Sequence, residues 1–433
     1  MALALTEKPD RLRDVDKGLW REIKDIIAID DHAHPLPLGM EPKGDLDNPI
    51  NPYNGTLPAR MRPYNPEYVD AWADLWGYEH RDWELPHLRD LIVRKEAAIA
   101  EHGALHNVWV LDKLKMQTMI AVAYGPSPSE PPPRFRWIAF SDWFLWPFTC
   151  EPKLDSPLLN VFLAQIKQKC GLFNDGELPQ TLDGFIEKIM FRTLDLYREQ
   201  NAVGIKFQTP YYRPISFQHV TKAEAEALYA RGAKAGSLPA DDHRALQDYL
   251  FRLLVTEAGR RDFMVQMHTG IGVKPYFDIA GSNPMLMEPI FRSVRGTKFL
   301  LLHNAWPFDK EANALLAHDN VYADFSCGNL YHHSRTIGAQ IRAALEWYPE
   351  KIMYGTDAYS DRSIGMLGGM PIKPNPLHGW EEKAWLMDRC GREGLGFALT
   401  GMYRDGIISA ARAEEMIEST MRGNAIKLYK LDT

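Results

Sequence analysis

Five residues of this chain are both of a type that binds a divalent metal or moves protons and placed at or near the ends of apolar runs: His32, His34, His268, His303 and Asp357. His32 and His34 stand two apart. Residues i and i+2 of a strand project to the same face, so both imidazoles can reach one ion. His268, His303 and Asp357 each fall at or near the end of an apolar run, in FMVQMHTG, KFLLLHN and KIMYGTDA. Imidazole nitrogens with a carboxylate oxygen suit zinc or a similar divalent transition metal. Neutral imidazole ligands leave most of the ion's charge in place, which brings the pKa of a bound water to about 7. The chemistry predicted is metal-assisted hydrolysis of an amide, C–N or related acyl bond, with Asp357 as general acid and base. Each residue alone has a plainer reading, as a hydrogen-bonded core histidine or, for Asp357, a helix cap. The set of five, spread over four strand ends, outweighs those readings.

The elements that must position these groups are written in apolar runs. IIAID, MQTMIAVAY, RFRWIAF, AVGIKFQT, FMVQMHTG, KFLLLHN, VYADFSC and KIMYGTDA are nearly continuous rather than alternating. Such runs mark strands buried on both faces of a parallel sheet. Stretches of helical spacing lie between most of them, so the order is that of βαβ units. Eight strands predict an α/β fold of the (β/α)8 TIM-barrel type, as a single domain over residues 1–433. In such a barrel the strands' C-terminal ends carry the active site. Two stretches break the rhythm. Residues 36–88, rich in Pro, Asn, Tyr and Trp, read as an insertion or lid after the first strand, with an aromatic contact surface. GPSPSEPPP, Gly125 to Pro133, reads as a stiff rim connection on the same face.

Composition removes several other functions. Fifty Lys plus Arg against 57 Asp plus Glu give a net charge of -7, which favours neither nucleic acid nor an anionic membrane as partner. Cys150, Cys170, Cys327 and Cys390 are far apart in the sequence, so they suggest no thiolate metal site and fit a reducing compartment. No run approaches the roughly 18 apolar residues of a membrane span, and the start is unlike a secretion signal. The expectation is a cytoplasmic enzyme of a small-molecule substrate, with homo-oligomerisation open.

The motifs IDDHAHPL, GIKF, VQMHTGIG, LLHNAWPF, VYADFSC, IMYGTDA and RGNAIKLYKL together resemble the amidohydrolase superfamily, in its amidohydrolase-related branch of metal-dependent barrel hydrolases. The stretch from QMHTGIG through LLHNAWPF is also similar to the amidohydrolase domain fused ahead of some glutamine-synthetase-like proteins. The resemblance implies that His32, His34, His268 and Asp357 hold one divalent ion, zinc first, with manganese or iron as alternatives. It places His303 beside the reacting water or substrate as a base or polarising group. In other branches the sixth-strand histidine binds a second metal, bridged by a carbamylated lysine on the fourth strand, and Lys206 falls near that position. Lys206 therefore has three readings: a carbamylated bridge, a cation for an acidic substrate, or a structural ion-pair partner. Members of the branch also catalyse non-oxidative decarboxylation or C–C cleavage, and that alternative stays open.

Beyond the resemblance, Arg213 in TPYYRP could pair a substrate carboxylate or be a solvated loop residue. Trp143, Trp146 and Trp306 could line the pocket or close the barrel top. His332 and His333 read as rim groups, and Asn329 and Arg362 lie on rim loops without an assigned role.

Overall fold

Each of the eight apolar runs contributes one strand: β1 Ala28–Ala33, β2 Met116–Ala123, β3 Phe135–Phe140, β4 Ala202–Phe207, β5 Met264–Met267, β6 Phe299–Leu301, β7 Val321–Asp324 and β8 Ile352–Met353. The computed structural model describes residues 10–35, 58–154, 156–272, 277–360 and 376–431. The strands pair in chain order, each parallel to the next. The chain after β8 closes the ring against β1. Asp31 N donates to Tyr354 O at 3.0 Å, Asp357 N to His32 O at 2.7 Å, and His34 N to Ala358 O at 2.6 Å. The expected (β/α)8 barrel forms.

Burial on both faces explains why the runs are continuous, since β1 and β4 are buried at all six positions. One apolar layer joins Ile29, Ile120, Ile138, Met264, Leu300 and Met353 of the strands to Leu428, Tyr429 and Leu431. The helix Asn424–Tyr429 thereby packs onto the barrel strands. Gly204 permits the close pairing of β4 with β5, because a Cβ there would stand 2.3 Å from the Met264 carbonyl oxygen. Around the sheet the helices start with ordinary signals. Thr221 and Glu224, for example, form a capping box that opens Lys222–Ala235.

The 36–88 segment is described only in its second part. Residues 36–57, like Arg362, lie outside the described residues. The remainder folds into the helix Glu67–Trp76 and the start of Leu85–His102, and its Tyr68, Trp72 and Trp76 are buried. Trp72 Nε1 donates to Leu377 O at 2.9 Å and Trp76 Nε1 to Glu382 Oε1 at 2.7 Å. These aromatics are core against the helix Trp380–Arg404, not an open contact surface. Buried indoles need such acceptors, and Trp380–Arg404 with the turn before it supplies them. No helix among the described residues is long and apolar enough to cross a membrane.

Candidate metal centre

The strand ends converge. β1 carries His32 and His34 to the same carboxylate oxygen: Asp357 Oδ1 lies 3.2 Å from His32 Nε2 and 3.3 Å from His34 Nε2. The other oxygen, Oδ2, faces His303 Nε2 at 4.0 Å. His268 does not join the His32–His34–Asp357 group. Its Nδ1 meets His303 Nε2 at 3.2 Å, and its Nε2 donates to the Ile271 carbonyl at 3.0 Å.

The hydrogen-bond network assigns the histidine tautomers. Gln266 donates its amide N–H groups to Asp31 O and to the Tyr429 hydroxyl, leaving Oε1 to accept from His32 Nδ1 at 2.9 Å. Ser326 donates to Asp324 at 2.7 Å and accepts from His303 Nδ1 at 2.9 Å. Both imidazoles thus carry no proton on Nε2, the ring nitrogen nearer Asp357. Hydrogen bonding of the remote ring nitrogen is the usual support of a metal-bound histidine.

Electrostatics keep the donors ready. Burial, helped by the charge of Lys206, lowers His32 and His268 to about 3. Burial also lowers His34 and takes His303 well below its ordinary value. For Asp357 burial works upward, but His303, His32 and His34 outweigh it and hold the carboxyl well below the usual range. The donor atoms of His32, His34 and Asp357 lie within 4.8 Å of one another, and those of His303, Cys327 and Asp357 form a second such group. Nitrogen and oxygen donors so arranged fit a divalent transition metal.

Lys206, on β4, donates from Nζ to His32 Nε2 at 3.2 Å. Burial brings it down to about 8, against the upward pull of Asp357, Asp324 and Asp142. Three donor residues have left-handed backbone: His303 at φ 68°, Cys327 at 56° and Asp357 at 59°. Each such residue costs about 1–3 kcal/mol, and that cost collects at functional sites. Aromatic rings wall the donors. Phe140 stacks on His34 with centroids 5.6 Å apart, and Tyr211 and Phe277 meet His268 edge-on.

Arg213 is a correction. All five of its N–H groups are engaged: Nε with Pro214 O, Nη1 with Arg244 O and Gln247 Oε1, and Nη2 with Ser216 O and Asp248 Oδ1. A saturated guanidinium has no donor left for a substrate carboxylate. Trp143 and Trp146 are buried core, while Trp306 packs edge-on to His332. His333 is exposed, as a rim group, whereas Asn329 is fully buried and donates to Gly355 O. Sequence reasoning missed Gln266, Cys327 and the Asp324–Ser326 pair. The only signal for Gln266 was an amide inside an apolar strand.

A parallel eight-stranded barrel with histidines and an aspartate gathered at its strand ends defines a class of metal-site α/β-barrel proteins. A family model described as Amidohydrolase matches residues 208–431. The chain belongs to the amidohydrolase family. Protein fluG of Emericella nidulans is 24% identical over 268 residues, which is 58% of this chain but 28% of that much longer protein. Among solved structures, glucuronate isomerase from Caulobacter crescentus matches with a TM-score of 0.63 at 13% identity, over 98% of both chains. A protein from Lactobacillus casei, provisionally described as a metal-dependent hydrolase, matches with a TM-score of 0.56 at 15% identity, over 95% of this chain and 97% of that one. Likeness at this identity speaks for the fold alone.

Proposed function

We propose that the chain is a metal-dependent hydrolase of a small molecule with an amide, C–N or related acyl bond. The observation that carries this reading is the division of Asp357 between His32 and His34 on one oxygen and His303 on the other. His32, His34 and Asp357 would hold one divalent ion, with zinc the ion we propose, and His268, whose Nδ1 now faces His303, would have to turn toward them to serve as the fourth ligand. When bound, the ion supplies Lewis acidity and a water acidic enough to attack near neutral pH. Asp357, kept ionised, takes the proton of the attacking water and returns it to the leaving group. His303, neutral and bare at Nε2, assists as hydrogen-bond acceptor. The aromatic rings exclude bulk water, which strengthens each polar contact inside. Lys206 brings one positive charge, suited to an anionic substrate group.

A second reading, non-oxidative decarboxylation or C–C cleavage, draws support from Lys206, since a cation beside the donors could hold a substrate carboxylate. The four free, buried cysteines support the cytoplasmic setting we propose.

The test is product analysis on metal-replete protein, with amides, imides, esters, aromatic carboxylates and a uronate as substrates. A new carboxylate with an amine or alcohol supports hydrolysis, carbon dioxide release supports the second reading, and an isomerised uronate contradicts both. Turnover undiminished in Asp357→Asn would remove the mechanism.

A further inference from the structure

Asp357 presents its two oxygens to different partners, and it belongs to a second set of donors as well. There His303, Cys327 and Asp357 place a ring nitrogen, a sulfur and a carboxylate oxygen within 4.8 Å of one another, all buried. We propose that Cys327 supplies a thiolate ligand to a second divalent ion, held with His303 and bridged to the first site by Asp357. The inference rests on the metal-centre reading above and adds a ligand to it.

Three independent features support this. The residues stand just beyond three consecutive strands, β6, β7 and β8, and each has a positive φ that its side chain disfavours. Glycine would occupy those backbone positions without strain, so the side chains are kept there against a local cost. Next, the His303 ring is oriented by its Nδ1–H donating to Ser326, whose hydroxyl is committed to Asp324. That leaves Nε2 without a proton, 4.0 Å from Asp357 Oδ2 and 3.2 Å from His268 Nδ1. Finally, a carboxylate whose oxygens face two donor groups is suited to bridge two ions.

A thiolate with an imidazole and a carboxylate selects borderline and soft ions such as zinc, cobalt(II) or cadmium over magnesium or calcium. On ligation the thiol proton passes to buffer and the Cys327 sulfur donates a lone pair to the ion, so no oxidant or reductant is needed. With this site filled, His303 serves as a ligand and no longer as an acceptor for substrate.

The experiment is anaerobic cobalt(II) titration of the metal-stripped whole chain, followed by absorption, for wild type and Cys327→Ser. The expected wild-type result is two equivalents bound, with thiolate-to-cobalt charge-transfer absorption in the near ultraviolet growing with the second. Cys327→Ser should bind one equivalent and lack that absorption. One equivalent without the band in wild type overturns the second site and leaves the first standing, whereas no binding overturns both. A band that persists in Cys327→Ser also overturns it, since the sulfur would then belong to another cysteine. If Cys327→Ser does not fold, the wild-type stoichiometry and band decide the matter alone.

Discussion

The Nδ1 of His32 lies 2.9 Å from the Oε1 of Gln266, on the opposite side of the imidazole from Asp357. Gln266 cannot turn its amide around without losing its donations to Asp31 O and the Tyr429 hydroxyl, both 2.8 Å long. The contact therefore fixes the proton on Nδ1 and the lone pair on Nε2. Gln266→Leu removes the acceptor of the His32 Nδ1–H and should weaken metal binding by about 10- to 100-fold. Competition with a chromophoric chelator measures this. Unchanged affinity would mean that His32 is either not a ligand or needs no such support.

Asp357→Asn keeps the shape of the side chain while removing its charge and one acceptor. Turnover should fall by about 100- to 10,000-fold, the range for loss of a positioned acid–base group. Metal content by elemental analysis should fall with it. Retained metal with lost turnover would restrict Asp357 to proton transfer.

Arg213 and Asp248 form a buried pair at 2.6 Å. Arg213→Met should lower the free energy of unfolding by about 3–5 kcal/mol, because Asp248 is left charged and unpaired. Denaturant unfolding reads the loss. KM for an anionic substrate should be unaffected in the protein that remains folded, whereas a large rise in KM with stability intact would return Arg213 to the pocket.

His243 is buried and its Nε2 donates to Phe148 O at 3.1 Å. Burial, with the charge of Arg213 adding to it, lowers the ring to about 4, and the Phe148 contact only partly offsets this. Between that value and the ordinary 6.5 the unfolded chain binds a proton that the folded chain refuses. Stability is therefore full above the ordinary value and is lost as the pH falls through the folded one. His243→Gln keeps an N–H donor without the titration. Between about pH 7.5 and 5, wild type should lose ~1–2 kcal/mol more than the variant in urea unfolding. Equal losses would show that His243 does not contribute to the acid sensitivity.

The barrel was legible because strands buried on both faces must be written as apolar runs. Histidines and an aspartate at the ends of such runs stand out against them. The helix Trp380–Arg404 was not legible for the opposite reason. It is buried on nearly every side, with Glu381, Glu382 and Lys383 among the buried residues, so no polar stripe marks its turns. Tyr68, Trp72 and Trp76 misled because composition cannot tell a ring that meets solvent, as Tyr64 does, from one packed against Trp380–Arg404. Arg213 looked free because its partners Gln247 and Asp248 lie more than thirty positions along the chain. Cys327 gave no signal as a lone thiol, since its proximity to His303 and Asp357 depends on how β6, β7 and β8 are aligned.

The placement of Tyr429 has a consequence for the order in which the protein is made. Every donor from His32 to Asp357 precedes it in the chain, and so does Gln266. A nascent polypeptide can expose all of its imidazoles and its carboxylate while the prop beneath Gln266 is still inside the ribosome. Until the segment bearing Tyr429 emerges and docks on the barrel, that half of the support under His32 is missing.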